Sequence, residues 1–266
     1  MIRLGSILIG AVFVLALVVA ALTPREEPLP NPNAKWHEKP IASVGWNHQG
    51  LFGTYDRGQL QRGFQVYKEV CSSCHGLRHL SFRNLEKVGF SSAEVKAIAK
   101  GYEVPVLNDV GEEVTRPAIP NDHIPGPYAN DAQARAANNN ALPPDLSLIT
   151  KARKGGEAYI YSLLVGYAEK PSADYDIANG LYFNPYFSDL NIAMAPPLID
   201  DQLTYGDGTK ASVEQMAQDV VAFLAWAADP KLEERRKLGL SVLIFLIVFT
   251  GFAYATYRRV WANIKK

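Results

Sequence analysis

Cys71-Ser72-Ser73-Cys74-His75 has the C-x-x-C-H spacing at which a c-type haem is attached covalently. Each cysteine can form a thioether to the same porphyrin edge, and the adjoining histidine then lies beneath the iron as its proximal ligand. The chain has no other cysteines, so no disulfide framework and no four-cysteine zinc site can claim these two. A zinc ribbon needs a second ligand pair at similar spacing, which is missing. A thioredoxin-type pair would follow a buried strand in a βαβ unit. Here the preceding run, Gly58 to Val70 (GQLQRGFQVYKEV), instead sets Leu60, Phe64 and Tyr67 on one helical face.

The sixth iron position separates electron transfer, where it is filled, from gas binding or peroxide chemistry, where it is open. Met194 stands in Asn191-Ile192-Ala193-Met194-Ala195-Pro196-Pro197-Leu198, a loop that two prolines stiffen. A thioether held on so rigid a loop can meet iron without reorganising on reduction. Met216 falls on the apolar stripe of a helix, and Met1 is terminal. His79 is expected one helical turn past His75, pointing along the helix and away from the same iron. His37, His48 and His123 fall in loops and suit surface or hydrogen-bonding roles. Histidine and methionine together raise the reduction potential relative to two histidines. Arg153, just before a helix carrying Tyr159, can neutralise a propionate with a forked hydrogen bond.

Apolar residues are unevenly spread. Residues 238–257 (LGLSVLIFLIVFTGFAYATY) carry no charge over a length that spans a bilayer as a helix. The tail after it holds Arg258, Arg259, Lys265 and Lys266 and no acid, which assigns it to the cytoplasmic or matrix side. A second apolar stretch, Leu4 to Leu22 behind Arg3, reads as a signal peptide or retained signal anchor. Both signals export the intervening region, the side on which c-type haem is attached. Net charge is zero but divided: residues 24–230 hold 25 acids against 18 bases. An acidic exported domain steers a basic partner, and nothing supports nucleic-acid binding.

Between these ends the pattern is mainly helical with long loops. Residues 24–40 are a proline- and charge-rich linker. Asp56 caps a helix running from about Arg57 to the cysteines, and Ser91 with Glu94 forms a capping box for a helix ending near Gly101. Residues 103–129 read as loop, 131–138 as a short helix, Glu157 to about Tyr167 as another, and Lys170 to Thr209 as irregular. Ser212 with Gln215 caps a helix whose apolar face is Val213, Met216, Val220, Phe223, Leu224 and Ala227, ended by Pro230.

Taken together these segments resemble the cytochrome c1 family, the haem-bearing subunit of ubiquinol–cytochrome c reductase (respiratory complex III). The resemblance runs from about Gly45 to Lys266. It rests on Arg62-Gly63-Phe64-Gln65-Val66-Tyr67 leading into the C-x-x-C-H motif, and on Ala134-Arg135-Ala136-Ala137-Asn138-Asn139. It continues through Ala141-Leu142-Pro143-Pro144-Asp145-Leu146-Ser147, Ala152-Arg153-Lys154-Gly155-Gly156-Glu157, Gly180-Leu181-Tyr182-Phe183-Asn184-Pro185-Tyr186-Phe187 and Met194-Ala195-Pro196-Pro197.

The resemblance implies one covalent haem c, with Cys71 and Cys74 as thioether sites and His75 and Met194 as axial ligands. It places Arg153 and Tyr159 at the haem, with Asn138, Leu142, Pro143 and Pro144 along the pocket wall. The expected architecture is a mainly α, cytochrome c-type haem domain at 45–230, preceded by a signal peptide or anchor (1–23) and a linker (24–44). A transmembrane helix and short tail (231–266) complete it. The implied role is one-electron transfer from the Rieske iron–sulfur protein to a soluble or tethered basic cytochrome c, in a dimeric complex with cytochrome b. The activity belongs to the complex; the chain alone makes no bonds. The alternative is a stand-alone tethered cytochrome c that donates to a terminal oxidase. Few early arginines and serines favour a bacterial inner membrane with the haem domain in the periplasm, over the mitochondrial inner membrane and its intermembrane space.

Overall fold

The structure is a computed structural model that describes residues 2–23, 42, 44–169, 171 and 175–263. The expected linker, His37 and the last lysines lie outside the described residues, apart from Ala42 and Val44 of the linker. The chain divides into two units, residues 1–38 and 39–266. The first contains α1 (Ile2–Leu22), a helix apolar along most of its length.

The second unit is built around two helices, α2 (Arg57–Glu69) and α7 (Val213–Ala228), which pack closely on each other. Asp56 caps α2 by accepting from the amides of Gly58 and Gln59, which answers two of the orphan donors of a helix start. Leu60, Phe64 and Tyr67 are buried as their spacing requires. Phe64 and Tyr67 meet Phe223 of α7 at centroid distances of 5.6 and 6.0 Å. Ser212 caps α7 through the amide of Gln215. Burial on α7 extends well beyond the expected stripe, taking in Ala217, Val221, Ala225 and Trp226. The stripe was too narrow because α5 (Ile149–Ala152) and α6 (Gly156–Val165) also pack on α7.

Two features let α2 and α7 approach so closely. Gly63 has no side chain where a Cβ would overlap the carbonyl oxygen of Asp219 and lie 2.7 Å from the Cβ of Phe223. Beside it, the fully buried Asp219 carboxylate takes Arg62 Nε at 2.9 Å and Nη2 at 3.3 Å, with Gln215 Nε2 at 3.0 Å. Arg62 also reaches Asp207 at 2.7 Å. A buried carboxylate is tolerated only when paired and hydrogen-bonded in this way.

The remaining elements are short. Strands β1 (Leu77–Ser81) and β4 (His123–Ile124) pair antiparallel, as do β2 (Glu103–Leu107) with β3 (Glu113–Pro117), and β5 (Tyr182–Phe183) with β6 (Asn191–Ile192). Helix α3 (Ser92–Lys100) carries the expected Ser91–Glu94 capping box, and α4 (Asp131–Ala137) is capped by Asn130.

Three expectations need correction. The loop expected over 103–129 contains the β2–β3 hairpin, whose turn is held by Asn108 Oδ1 accepting from the amides of Val110 and Glu112. Pro105 and Pro117 suggested a loop, but a two-stranded ribbon has outward edges that need no N–H. The irregular stretch from Lys170 to Thr209 contains the β5–β6 pair. The chain beyond His75 is strand β1 rather than helix, so His79 lies on an extended segment and its amide donates to Ser147 Oγ at 3.1 Å.

Among the described residues, α8 (Leu232–Trp261) is the one helix long and apolar enough to cross a membrane. Its first turns are clamped to the body of the unit. Glu233 accepts from the Tyr55 amide (2.7 Å) and Arg57 (2.6 Å), and Lys87 meets Glu234 at 2.6 Å. Arg235 forks onto Asp229 with two 2.6 Å bonds. Arg236 donates to the carbonyls of His48 (2.8 Å) and Gly53 (2.7 Å).

Asp229 titrates below the usual carboxylate range because the Arg235 fork outweighs its partial burial, with Lys151 and Arg236 adding to the effect. A carboxylate depressed by folding contributes stability that is complete above its unfolded pKa of about 4 and is lost as pH falls through the folded value. Thermal melts of the detergent-solubilised chain should therefore fall more steeply below about pH 5 in the native protein than in Asp229→Asn. Equal slopes would remove Asp229 from the acid response.

Candidate haem site

Helix α2 ends at Glu69, and Cys71–Ser73 form a 3-10 turn directly beyond it. The amides of Cys74 and His75 both donate to the Cys71 carbonyl, at 3.1 and 2.9 Å. The Tyr67 hydroxyl, buried on α2, donates to the His75 carbonyl at 3.1 Å. The motif is thus pinned from within itself and from the helix before it. Both cysteines are free thiols. Burial, reinforced by neighbouring Cys74, pushes the Cys71 thiol up to about 12, so it is protonated at neutral pH.

The decisive contact is made by His75. Its Nδ1 lies 2.8 Å from the carbonyl oxygen of Pro144. A carbonyl can only accept, so Nδ1 carries the proton and Nε2 presents a lone pair. Burial lowers the pKa of the imidazole, the backbone bond and Asp145 opposing it, which favours the neutral ligand form. An outer partner on Nδ1 orients many metal-bound histidines and makes them better donors.

Pro144 is held in turn. The Leu146 amide donates to the Gly76 carbonyl at 2.9 Å, and Asp145 Oδ2 accepts from the Arg78 amide at 3.0 Å. Gly76 allows this close laying-together: a Cβ there would come within 3.2 Å of both Asp145 Oδ2 and Gly126 Cα. The segment Leu142-Pro143-Pro144 therefore runs beside the motif, with Leu142 exposed.

A second group gathers around α6. Arg153 is exposed, and among the described residues no carboxylate pairs with it. It lies near enough to the half-buried Tyr159 hydroxyl to oppose the rise that burial imposes on its pKa. Tyr167, in the 3-10 turn Gly166–Ala168 after α6, donates to the Met194 carbonyl at 2.8 Å. Met194 follows β6 and is partly buried.

The loop bearing it is braced by the fully buried Asn184, which donates to the Leu163 carbonyl at 2.7 Å and accepts from the Tyr186 amide at 3.0 Å. Gly166 makes room, since a Cβ would sit 2.7 Å from the Tyr186 ring and 2.9 Å from Asn184 Oδ1. Asn138 uses its amide locally at the end of α4, donating to Tyr128 Oη (2.9 Å) and the Ala134 carbonyl (2.7 Å).

The structure thus joins Cys71, Cys74, His75 and Pro144 directly, and links Arg153 to Tyr159, and Met194 to α6 through Tyr167. Among the described residues, Asn138 bonds through its side chain to Tyr128 and Ala134 and to neither group. Sequence reasoning missed Tyr67, Tyr167 and Asn184, whose one visible signal was position, at the end of a helix or ahead of a proline. His48, expected in a surface or hydrogen-bonding role, is buried and meets Glu157 Oε1 at 3.2 Å, and His123, expected in a loop, lies on strand β4.

The donor set suits an iron porphyrin. Among the described residues no three of His, Cys, Asp and Glu gather to hold a bare metal ion. His75 Nε2, free beside two thiols at C-x-x-C-H spacing, fits a haem, whose macrocycle brings donors of its own.

The model of the cytochrome C1 family matches residues 46–264. Cytochrome c1 of Rhodospirillum rubrum is 49% identical over 236 residues, covering 83% of this chain and 87% of that one. The mitochondrial cytochrome c1 heme protein of Neurospora crassa is 45% identical over 247 residues, covering 92% of this chain and 71% of that protein. The mitochondrial cytochrome b-c1 complex catalytic subunit of Candida albicans is 46% identical over 224 residues, covering 84% and 78% respectively.

Proposed function

The chain belongs to the cytochrome c1 family, and on that premise we propose that it is the haem subunit of a quinol–cytochrome c reductase. It takes single electrons from a Rieske iron–sulfur protein and hands them to a cytochrome c, within a dimeric complex with cytochrome b. The observation that carries this is the His75 Nδ1 bond to Pro144, which leaves Nε2 free beside two unpaired thiols. The relative named as a subunit of the b-c1 complex supports the partnership with cytochrome b.

Cys71 and Cys74 would hold one haem c by thioethers, and His75 and Met194 would ligate its iron. When bound, the haem supplies a one-electron couple whose potential its axial ligands set. Pro144 orients the imidazole. Tyr167 and Asn184 hold the Met194 loop still, so the thioether needs no rearrangement. Arg153 and Tyr159, which lie near each other, would neutralise and hydrogen-bond a propionate. Asn138, Leu142, Pro143 and Pro144 wall the pocket.

Residues 1–23 act as signal peptide or anchor, 24–44 as linker, 45–230 as the exported domain and 231–266 as the anchor with its tail. The basic tail supports a head on the exported side of the membrane, and the few early arginines and serines support a bacterial periplasm over the mitochondrial intermembrane space. Reductase activity belongs to the assembled complex, while this chain contributes electron transfer without bond-making.

A pyridine haemochrome spectrum on the denatured chain, with a subunit list of the complex purified in mild detergent, tests this reading. Covalent haem together with cytochrome b and Rieske subunits is the expected result. A lone haem protein would instead indicate the stand-alone carrier.

Met194→Leu should open the sixth position. The midpoint potential should then drop by on the order of 0.1 V or more, within the ~0.8 V range that axial ligands command. Carbon monoxide should bind the reduced form at once. An unchanged potential would remove Met194 from the iron.

A further inference from the structure

Residues 47–54 form a closed turn whose tip is strongly apolar and uncovered. The Thr54 amide donates to the Asn47 carbonyl at 3.1 Å and closes its neck. Gly53 presses on the backbone of His48 and Gln49 so tightly that a Cβ would lie 2.5 Å from the His48 carbonyl carbon. Gly50 supplies the left-handed corner at φ +78°. Leu51 and Phe52 at the tip are 75% and 79% exposed. No charged residue occurs from Ile41 to Tyr55.

The position of this turn along α8 can be read from its contacts. Arg57 and the Tyr55 amide meet Glu233, whereas the carbonyls of Gly53 and His48 meet Arg236. Going from Arg57 back to Gly53 therefore moves three residues along α8, about 4.5 Å towards the uncharged span. The span begins at Leu238, two residues past Arg236. Leu51 and Phe52 form the tip between the two gripped arms, next to the level on α8 where charge gives way to apolar residues. That is the depth at which aromatic and aliphatic side chains insert between headgroups and acyl chains.

We propose that Leu51 and Phe52 form a second, shallow membrane contact, dipping into the headgroup–acyl boundary of the lipid beside α8. Lipid is the occupant because the tip is apolar and uncharged, and both arms of the turn are bonded to Arg236, two residues before the uncharged span of α8. The pair fixes the height and rotation of the head through the Arg236 grip. This rests on α8 spanning the membrane.

The test uses the full chain in its complex, reconstituted into phosphatidylcholine vesicles, with single cysteines at Phe52→Cys, Val110→Cys at the exposed hairpin turn, and Leu246→Cys within α8. Each is labelled with a thiol-specific nitroxide and read by its accessibility to oxygen and to a nickel chelate. The ratio of oxygen to nickel accessibility at position 52 should be several-fold higher than at 110 and below that at 246. A ratio at 52 equal to that at 110 would place the turn in water. Shielding of position 52 from both reagents would mean that protein covers it, and either result overturns the proposal. A water-like ratio at 246 would instead sink the spanning role of α8. Should Phe52→Cys fail to assemble, Leu51→Cys gives the same reading.

Discussion

A chain with Cys71→Ala and Cys74→Ala should carry no haem after denaturation: its band on a denaturing gel should lose all peroxidase stain. Cys71 opens the 3-10 turn and Cys74 caps its end, and neither is in a disulfide. His75 would remain oriented by Pro144, so non-covalent haem can still bind weakly in the native state and wash out in denaturant. Each single variant should keep a stained band, with its haemochrome maximum moved to longer wavelength because one vinyl group stays conjugated. A stained double variant would show that the haem is not held through these sulfurs.

Gly63→Val should abolish the folded head, and even Gly63→Ala should be strongly destabilising. Helix propensity alone predicts the opposite for alanine, a gain of about 1 kcal/mol. Space decides against propensity here. The atom that a Cβ meets is the main-chain oxygen of Asp219, and a carbonyl inside α7 cannot swing aside as a flexible side chain can. Relief requires the two helices to separate. That loosens the Phe64–Phe223 contact and lengthens the Arg62–Asp219 bonds, leaving a buried carboxylate poorly paired. A loss of roughly 3 kcal/mol or more is expected, the range seen when overpacking is joined to a broken buried pair. Gly58→Ala, on the same helix, is the control. Its Cβ would meet only Asp56 Oδ1 at 3.4 Å and Arg62 Nη1 at 3.8 Å, so it should be neutral or stabilising. Urea unfolding of the chain in detergent measures both. Similar midpoints for the two alanine variants would refute the close-approach account.

These two tests also mark what sequence can and cannot carry. Local chemistry was legible: Asp56, Ser91 with Glu94, and Ser212 cap the helices they precede, because a cap acts within three residues. The stripe of α2 was legible for the same reason. Contacts across long stretches of chain were hidden. Arg62 and Asp219 are 157 positions apart, and His75 and Pro144 are 69 apart. Nothing in the local pattern of either pair distinguishes it from solvated neighbours. The β2–β3 hairpin was masked by its prolines, since propensity is measured for strands with two paired edges. Tyr167 and Asn184 were invisible because their work is to brace another residue.

The clamped start of α8 has a mechanical consequence. A span that meets a thinner or thicker bilayer adjusts by leaning. Ion pairs at Glu233, Glu234 and Arg235, and the carbonyl bonds of Arg236, grip four consecutive residues around most of one helical turn and leave no swivel at that junction. Whatever angle the lipid imposes on the helix is therefore inherited by everything mounted above it, and lipid composition becomes a dial for the orientation of the redox centre.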